Sequence, residues 1–210
     1  MNSKWIALLF SLATLALSGC ASMNGDQCLT SDWKAIGFED GSRGYSASRL
    51  GNHRKACAKH GVTPDFEAYQ AGHAKGLDTY CQPSRGFSLG NNGGSYNGVC
   101  SAHREGDFID AFNTGHKLYS LRSRVNTASN QIDRKRQHLA SNEELIRDKE
   151  VALISPDTSI EGRIRIIADL KDISEENGHL EAEIYQLIDD RARHELELAS
   201  YEALIADSGY

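Results

Sequence analysis

Three histidine and carboxylate groupings in this 210-residue chain have spacings that could support chemistry. His53, Cys57 and His60 stand at i, i+4 and i+7, which is one face of a helix, and two imidazoles with a thiolate would suit a transition metal. The simpler reading pairs Cys57 in a disulfide and leaves His53 and His60 exposed, because oxidised sulfur is a poor ligand. No metal is therefore expected, and His53 and His60 remain weak candidates. Glu39 and Asp40 are adjacent carboxylates. Helical neighbours point about 100° apart, so the two do not converge on one bond and are expected on a solvated face. His73 and His116 occupy matching places, each after a glycine, in the related stretches "FEAYQAGHAKGL" and "FIDAFNTGHKLY". They could face one another across a pseudo-symmetric groove, or each could bond a neighbouring helix. No nucleophile–base arrangement and no phosphate-loop motif is present; for "GFSLGNNGGSYNG" a glycan contact through Tyr96 and Asn97 competes with the favoured reading, a disulfide-closed loop. No cofactor is expected, and a non-enzymatic role is favoured over catalysis.

The elements that would position these groups begin with an N-terminal address. Lys4 precedes an almost uncharged apolar run, Trp5 to Leu17, of about 13 residues. A spanning helix needs about 20, so the run reads as a signal peptide over residues 1–19. Leu17-Ser18-Gly19-Cys20 resembles the lipobox of bacterial lipoproteins, and that resemblance implies cleavage before Cys20 and lipidation of it. Several acyl chains on one residue anchor stably at about 0.8 kcal/mol per buried methylene. Ala21 and Ser22 take the place of the aspartate that often retains lipoproteins at the inner membrane. The expected location is thus the outer membrane, facing the periplasm, with residues 20–27 as a lipidated tether.

Four cysteines remain: Cys28, Cys57, Cys81 and Cys100. An even number in an oxidising compartment implies two disulfides, and no C-x-x-C zinc motif occurs. Three pairings are open. Cys28–Cys57 with Cys81–Cys100 is the expected one, since the second bond would close "QPSRGFSLGNNGGSYNGV", a segment with little to pack. Closing about 20 residues contributes roughly 3 kcal/mol in the entropic account.

Composition divides the chain near Gly106. Residues 20–106 hold 14 glycines, with 9 basic and 8 acidic residues, whereas 107–210 hold 4 glycines, with 13 basic and 21 acidic. Without Lys4, the 23 basic residues fall to 22 against 29 acidic, a net charge of −7, which excludes nucleic acid as a bulk-charge partner. Residues 28–106 are expected to form a helical head in which Trp33, Phe38, Phe66, Tyr69, Phe108 and Phe112 make the core. Thr63-Pro64 should start one helix. Glycines four apart at 37/41 and 72/76 should let backbones approach closely. The stretches "DWKAIGFEDGSRG", "HRKAC", "YQAGHAKGLDTYC" and "GGSYNGVC" resemble the Gram-negative lipoprotein family catalogued as domain of unknown function 2799. The likeness covers about residues 28 to 120. It implies compartment and fold but brings no activity with it.

Residues 107–210 carry coiled-coil spacing. Leu118, Val125, Ile132, Leu139, Ile146 and Leu153 recur every seven residues, with Leu121, Ala128 and Leu145 partly filling the seam. Ile166, Leu170, Ile173, Leu180, Ile184, Leu187, Leu198, Tyr201 and Ile205 follow after "ISPDTSIEG". Pro156 ends the first helix, and Thr158 with Glu161 should cap the second. Two arms of about 47 residues, each about 70 Å long at 1.5 Å per residue, favour an antiparallel hairpin with its turn near 155–159. Folding about Pro156 would set Arg134, Lys135 and Arg136 near Glu175, Glu176 and Glu181, and Arg122 and Arg124 near Asp189 and Asp190.

The fold class is therefore all-α: a small disulfide-bearing helical head followed by a long antiparallel coiled-coil hairpin. The expected function is that of a lipoprotein of structural or protein-interaction type. It would be held in the membrane by Cys20, with self-association or a periplasmic partner engaging Leu145, Leu153, Ile160, Ile164 and Ile167. The competing expectation is a glycan- or peptide-processing enzyme, or a metal-binding module, using the head.

Overall fold

The computed structural model describes residues 23–207. The signal segment and Cys20 lie outside the described residues. Seven α-helices and one 3-10 turn are present among the described residues, and no strand. The helices are α1 (Gly25–Thr30), α2 (Trp33–Ser42), α3 (Leu50–Ala58), α4 (Phe66–Tyr80), α5 (Pro83–Asn91), α6 (Ala102–Ile154) and α7 (Ile160–Asp207); the 3-10 turn, Ala47–Arg49, precedes α3. Two compact units form. One comprises residues 23–82 with 96–105, and the other residues 83–95 with 106–207. The boundary thus differs from a single cut at 106, because α5 belongs with the hairpin.

Local chemistry sets the helix starts. Asn24 and Gln27 form a reciprocal capping box on α1, and the Asp32 carboxylate accepts from the N–H groups of Lys34 and Ala35 at the start of α2. On α4 the cap is Asp65, which accepts from the Ala68 N–H at 2.9 Å, rather than Thr63. A carboxylate both caps and complements the helix dipole, so the helix starts after it.

In the first unit, α2 and α4 meet backbone to backbone. A Cβ built on Gly37 would lie 2.1 Å from the Tyr69 carbonyl oxygen, one on Gly72 1.9 Å from that of Lys34, and one on Gly76 2.2 Å from that of Phe38. Only glycine permits this approach. Beside the contact, Cys28, Trp33, Cys57 and Tyr69 are buried together, with Met23, Ile36, Leu50, Val62 and Ala68 packed around them. Phe38 and Phe66 are exposed, contrary to the expected core, because the glycine face turns them outward. Cys28 is bonded to Cys57, and Cys81 to Cys100.

The second unit repeats the contact. A Cβ on Gly90 would lie 2.1 Å from the Phe112 carbonyl oxygen, and one on Gly115 2.2 Å from that of Phe87. In both units the leading helix ends in a left-handed glycine, Gly44 (φ +75°) or Gly93 (φ +69°), whose backbone abuts a tyrosine ring, Tyr80 or Tyr119. The underlying repeat is Gly-Phe-x-x-Gly-x-x-Gly, at 37–44 and again at 86–93. Residues 83–91 are therefore a helix and not a loose loop. The register also corrects the alignment of the histidines: Gly76 corresponds to Gly115 and Tyr80 to Tyr119, so His73 corresponds to Phe112 and not to His116.

Helices α6 and α7, of 53 and 48 residues, form the antiparallel hairpin. Positions 118, 121, 125, 128, 132, 135, 139, 142, 146, 149 and 153 are buried or half-buried along α6, in alternating three- and four-residue steps. Leu145 falls outside this seam and is exposed. Asn142 is 6% exposed; its amide donates to Asn177 Oδ1 at 2.8 Å and to Glu176 Oε2 at 3.0 Å. Across the arms, Arg122 pairs with Glu202 at 2.8 Å, Arg124 with Glu197 at 3.0 Å and Lys149 with Asp169 at 2.5 Å, and Lys135 pairs with Glu183. These partners lie farther along α7 than folding about Pro156 places them. The turn spends residues 155–159 on closure before α7 begins. Ser159 caps α7 by accepting from the Gly162 N–H at 3.1 Å. The Thr158 hydroxyl instead donates to the Ala152 carbonyl at 2.6 Å, satisfying a group in the last turn of α6, and Arg163 ties the turn together by donating to the Ser155 and Thr158 carbonyls.

Candidate functional site

The densest polar cluster of the head surrounds Asp40. This residue shares the α2 face of Gly37 and Gly41, so the same packing that joins the helices draws its carboxylate inward, to 6% exposure. Asp40 Oδ2 accepts from the Tyr69 hydroxyl at 2.9 Å and lies 2.9 Å from His53 Nε2. Arg49 Nε stands 3.0 Å from Oδ1 as an ion pair, without hydrogen-bond alignment, and its guanidinium lies over the Tyr45 ring with Cζ 3.9 Å from the centroid. Burial first, then the bond to Asp40, holds the Tyr69 phenol well above the ordinary tyrosine range. His73 Nε2 lies 2.7 Å from the Tyr45 carbonyl oxygen and so fastens α4 to the segment after α2.

The expectation of two solvated carboxylates thus holds for Glu39 alone, which is exposed and makes a loose 3.9 Å pair with Arg43. Asp40 is the hub. Its place on the glycine face was the signal in the sequence, since a residue three after Gly37 and one before Gly41 must point toward the helix that those glycines admit. Arg49 had no such signal.

His53, Cys57 and His60 do not act together. Cys57 is fully buried in its disulfide, His53 is engaged by Asp40, and the His60 ring lies against Gly25. No group of three or more His, Cys, Asp or Glu able to hold a metal converges among the described residues. His116 is exposed and stacks with Phe112, 5.8 Å between ring centroids. Tyr96 is committed to the loop that closes the second disulfide: its hydroxyl donates to Glu105 at 2.9 Å and accepts from the Cys100 N–H at 2.9 Å.

An open depression of about 590 Å³ adjoins the cluster, lined by Gln27, Glu39, Asp40, Arg43, Arg49 and His53 among others. Glu39, Arg43 and Arg49 offer charge there, and His53 an imidazole. The Asp40 carboxylate is engaged by Tyr69 and His53 at Oδ2 and ion-paired with Arg49 at Oδ1, so it braces α2, α3 and α4.

On the hairpin, Ile160, Ile164 and Ile167 are exposed, as is Leu145, whereas Leu153 is half-buried in the seam. Ile154 and Val151, which the spacing did not single out, are exposed beside them.

The class defined by these features is a disulfide-braced, all-helical chain with duplicated glycine-packed helix pairs that runs on into a coiled-coil hairpin. Residues 32–117 match the family model described as protein of unknown function (DUF2799). The matched segment runs from the Asp32 cap into α6 and takes in both glycine repeats. No curated protein and no solved structure matches the chain.

Proposed function

We propose that the chain is a lipoprotein anchored to the outer membrane by Cys20, facing the periplasm, and that it serves a structural or protein-interaction role. The observation that carries the reading is Leu17-Ser18-Gly19-Cys20 behind an apolar run too short to span a bilayer. Two disulfides among all four other cysteines support an oxidising compartment. The saturated Asp40 cluster supports a bracing head, and the exposed isoleucines near the hairpin turn support a working surface on the hairpin.

Fractionating cells that express the chain tests the anchor. Wild type should pellet with the outer membrane and carry acyl chains on its N-terminal cysteine by mass spectrometry. Cys20→Ser should be released or left unprocessed; unchanged fractionation would defeat the proposal. A second reading, an enzyme acting on glycan or peptide or a metal-binding module, draws on the depression beside His53 and Arg49. It predicts that His53→Ala abolishes a biochemical activity while the two disulfides still form.

A further inference from the structure

The hairpin has two flanks, and its own ion pairs label them. Taking Leu118 and Arg163 as first positions of their heptads, Arg124 and Glu197 are both g residues, and Arg122 and Glu202 are both e residues. The e and neighbouring b positions of both arms therefore lie on one face. Away from the turn that face carries Ser129, Arg136, Glu143 and Glu150 on α6 and Ser174, Glu181 and Glu195 on α7, interrupted by half-buried Ile188 and exposed Tyr185. Near the turn it changes character. Ile154, Ile160, Ile164 and Ile167 occupy its b and e positions and are 79%, 74%, 63% and 57% exposed. The seam beneath them is weak, since Lys149 and Arg163 occupy inward positions.

We propose that this isoleucine face is where two copies of the chain associate, about a two-fold axis near Ile164. The inference rests on the interaction role proposed above, but not on the membrane anchor. Charge selects the occupant. Residues 147–171 carry five basic and five acidic side chains in close alternation, whereas the chain as a whole has a net charge of −6. A second copy meets a neutral, mixed-sign surface here, while a strongly basic or acidic partner finds no field to steer it. Size agrees. The four isoleucines expose on the order of 500 Å² per copy, and the stems of Arg147 and Lys171 extend the patch toward the roughly 800 Å² per partner of a stable interface. An isologous contact also needs only one patch, used twice.

The test uses the full chain in cells, with Ile164→Cys for oxidative crosslinking and Glu144→Cys, on the outer surface of α6, as control. A self-dimer joined through position 164, with the native disulfides intact by peptide mapping and none through 144, is expected. Adding Ile160→Asp and Ile167→Asp should weaken association about a thousand-fold, since a two-fold interface counts each change twice. The proposal is overturned by no adduct at 164, by an adduct with a different protein, or by equal crosslinking after the aspartate changes. Should those changes unfold the chain, the result with Ile164→Cys alone still decides. Membrane-bound but uncrosslinked chain would remove this inference and keep the anchor; crosslinked but soluble chain would do the reverse.

Discussion

Replacing Gly76 by alanine should destabilise the head, although alanine is the better helix former. Two effects oppose each other. Alanine at a helix interior gains about 1 kcal/mol over glycine from backbone entropy. Against this, the new Cβ would sit 2.2 Å from the Phe38 carbonyl oxygen and 2.6 Å from the Ser42 amide nitrogen. Both are backbone atoms in a facing helix, so no rotamer change relieves them, and α2 and α4 must separate by roughly 1 Å. Overpacking of this kind costs about 1–3 kcal/mol, and parting the helices also strains the Asp40–Tyr69 bond, worth about another 1 kcal/mol. The net loss should be about 2 kcal/mol, a fall of about 8–16 °C for a unit of this size. Gly178→Ala supplies the opposite sign: this site lies within α7, and a Cβ there meets nothing within 4 Å. It should stabilise the hairpin by about 0.5–1 kcal/mol. Urea and thermal unfolding followed by circular dichroism, with the disulfides intact, reads both. Equal or greater stability of Gly76→Ala would refute the argument that the helices meet through their backbones.

Three further outcomes follow from the same geometry. Asp40→Ala strands Arg49, His53 and the Tyr69 hydroxyl together, and should cost about 3 kcal/mol in urea unfolding, against under 1 kcal/mol for Glu39→Ala. Changing Asn142 and Asn177 both to Leu should stabilise the hairpin by about 1–3 kcal/mol while loosening its register, seen as new cysteine-crosslink pairs one heptad away. Because Tyr69 remains protonated in the folded chain where an unfolded tyrosine ionises, the unfolded state binds fewer protons above pH about 10. Stability should fall there by about 1.4 kcal/mol per pH unit and lie flat below pH 9 on this account; Tyr69→Phe should remove that component in unfolding measured from pH 8 to 11.

The hairpin was the more legible part. A seven-residue repeat names the inward face whatever the partner, so Leu118 through Leu153 and Ile166 through Ile205 could be assigned from spacing. Register was not legible: it depends on how many residues the turn consumes and on one asparagine pair, and neither leaves a periodic trace. In the head, the glycines pointed to backbone contact but not to which helix answered which. Matching the two Gly-His pairs led the alignment astray, since a histidine stands out to the eye while Gly-Phe-x-x-Gly-x-x-Gly has only small residues to show. Asp40 was misplaced for a related reason. A charged side chain is expected outside unless its helix face is known to be covered, and here the covering is announced by glycines on either side of it.

The two disulfides join neighbours along the chain, first cysteine to second and third to fourth. A thiol oxidant that acts on each cysteine as it emerges, N-terminus first, closes the 28–57 bond before Cys81 has appeared, and closes 81–100 with no other free thiol of the pair set competing. Exchange through a mixed disulfide then leads straight to the native connectivity, with no rearrangement step. Dependence on a disulfide oxidase without dependence on an isomerase is the genetic signature this order leaves. Loss of Cys57 alone should bring the isomerase into play, since Cys28 is then free to attack Cys81 or Cys100.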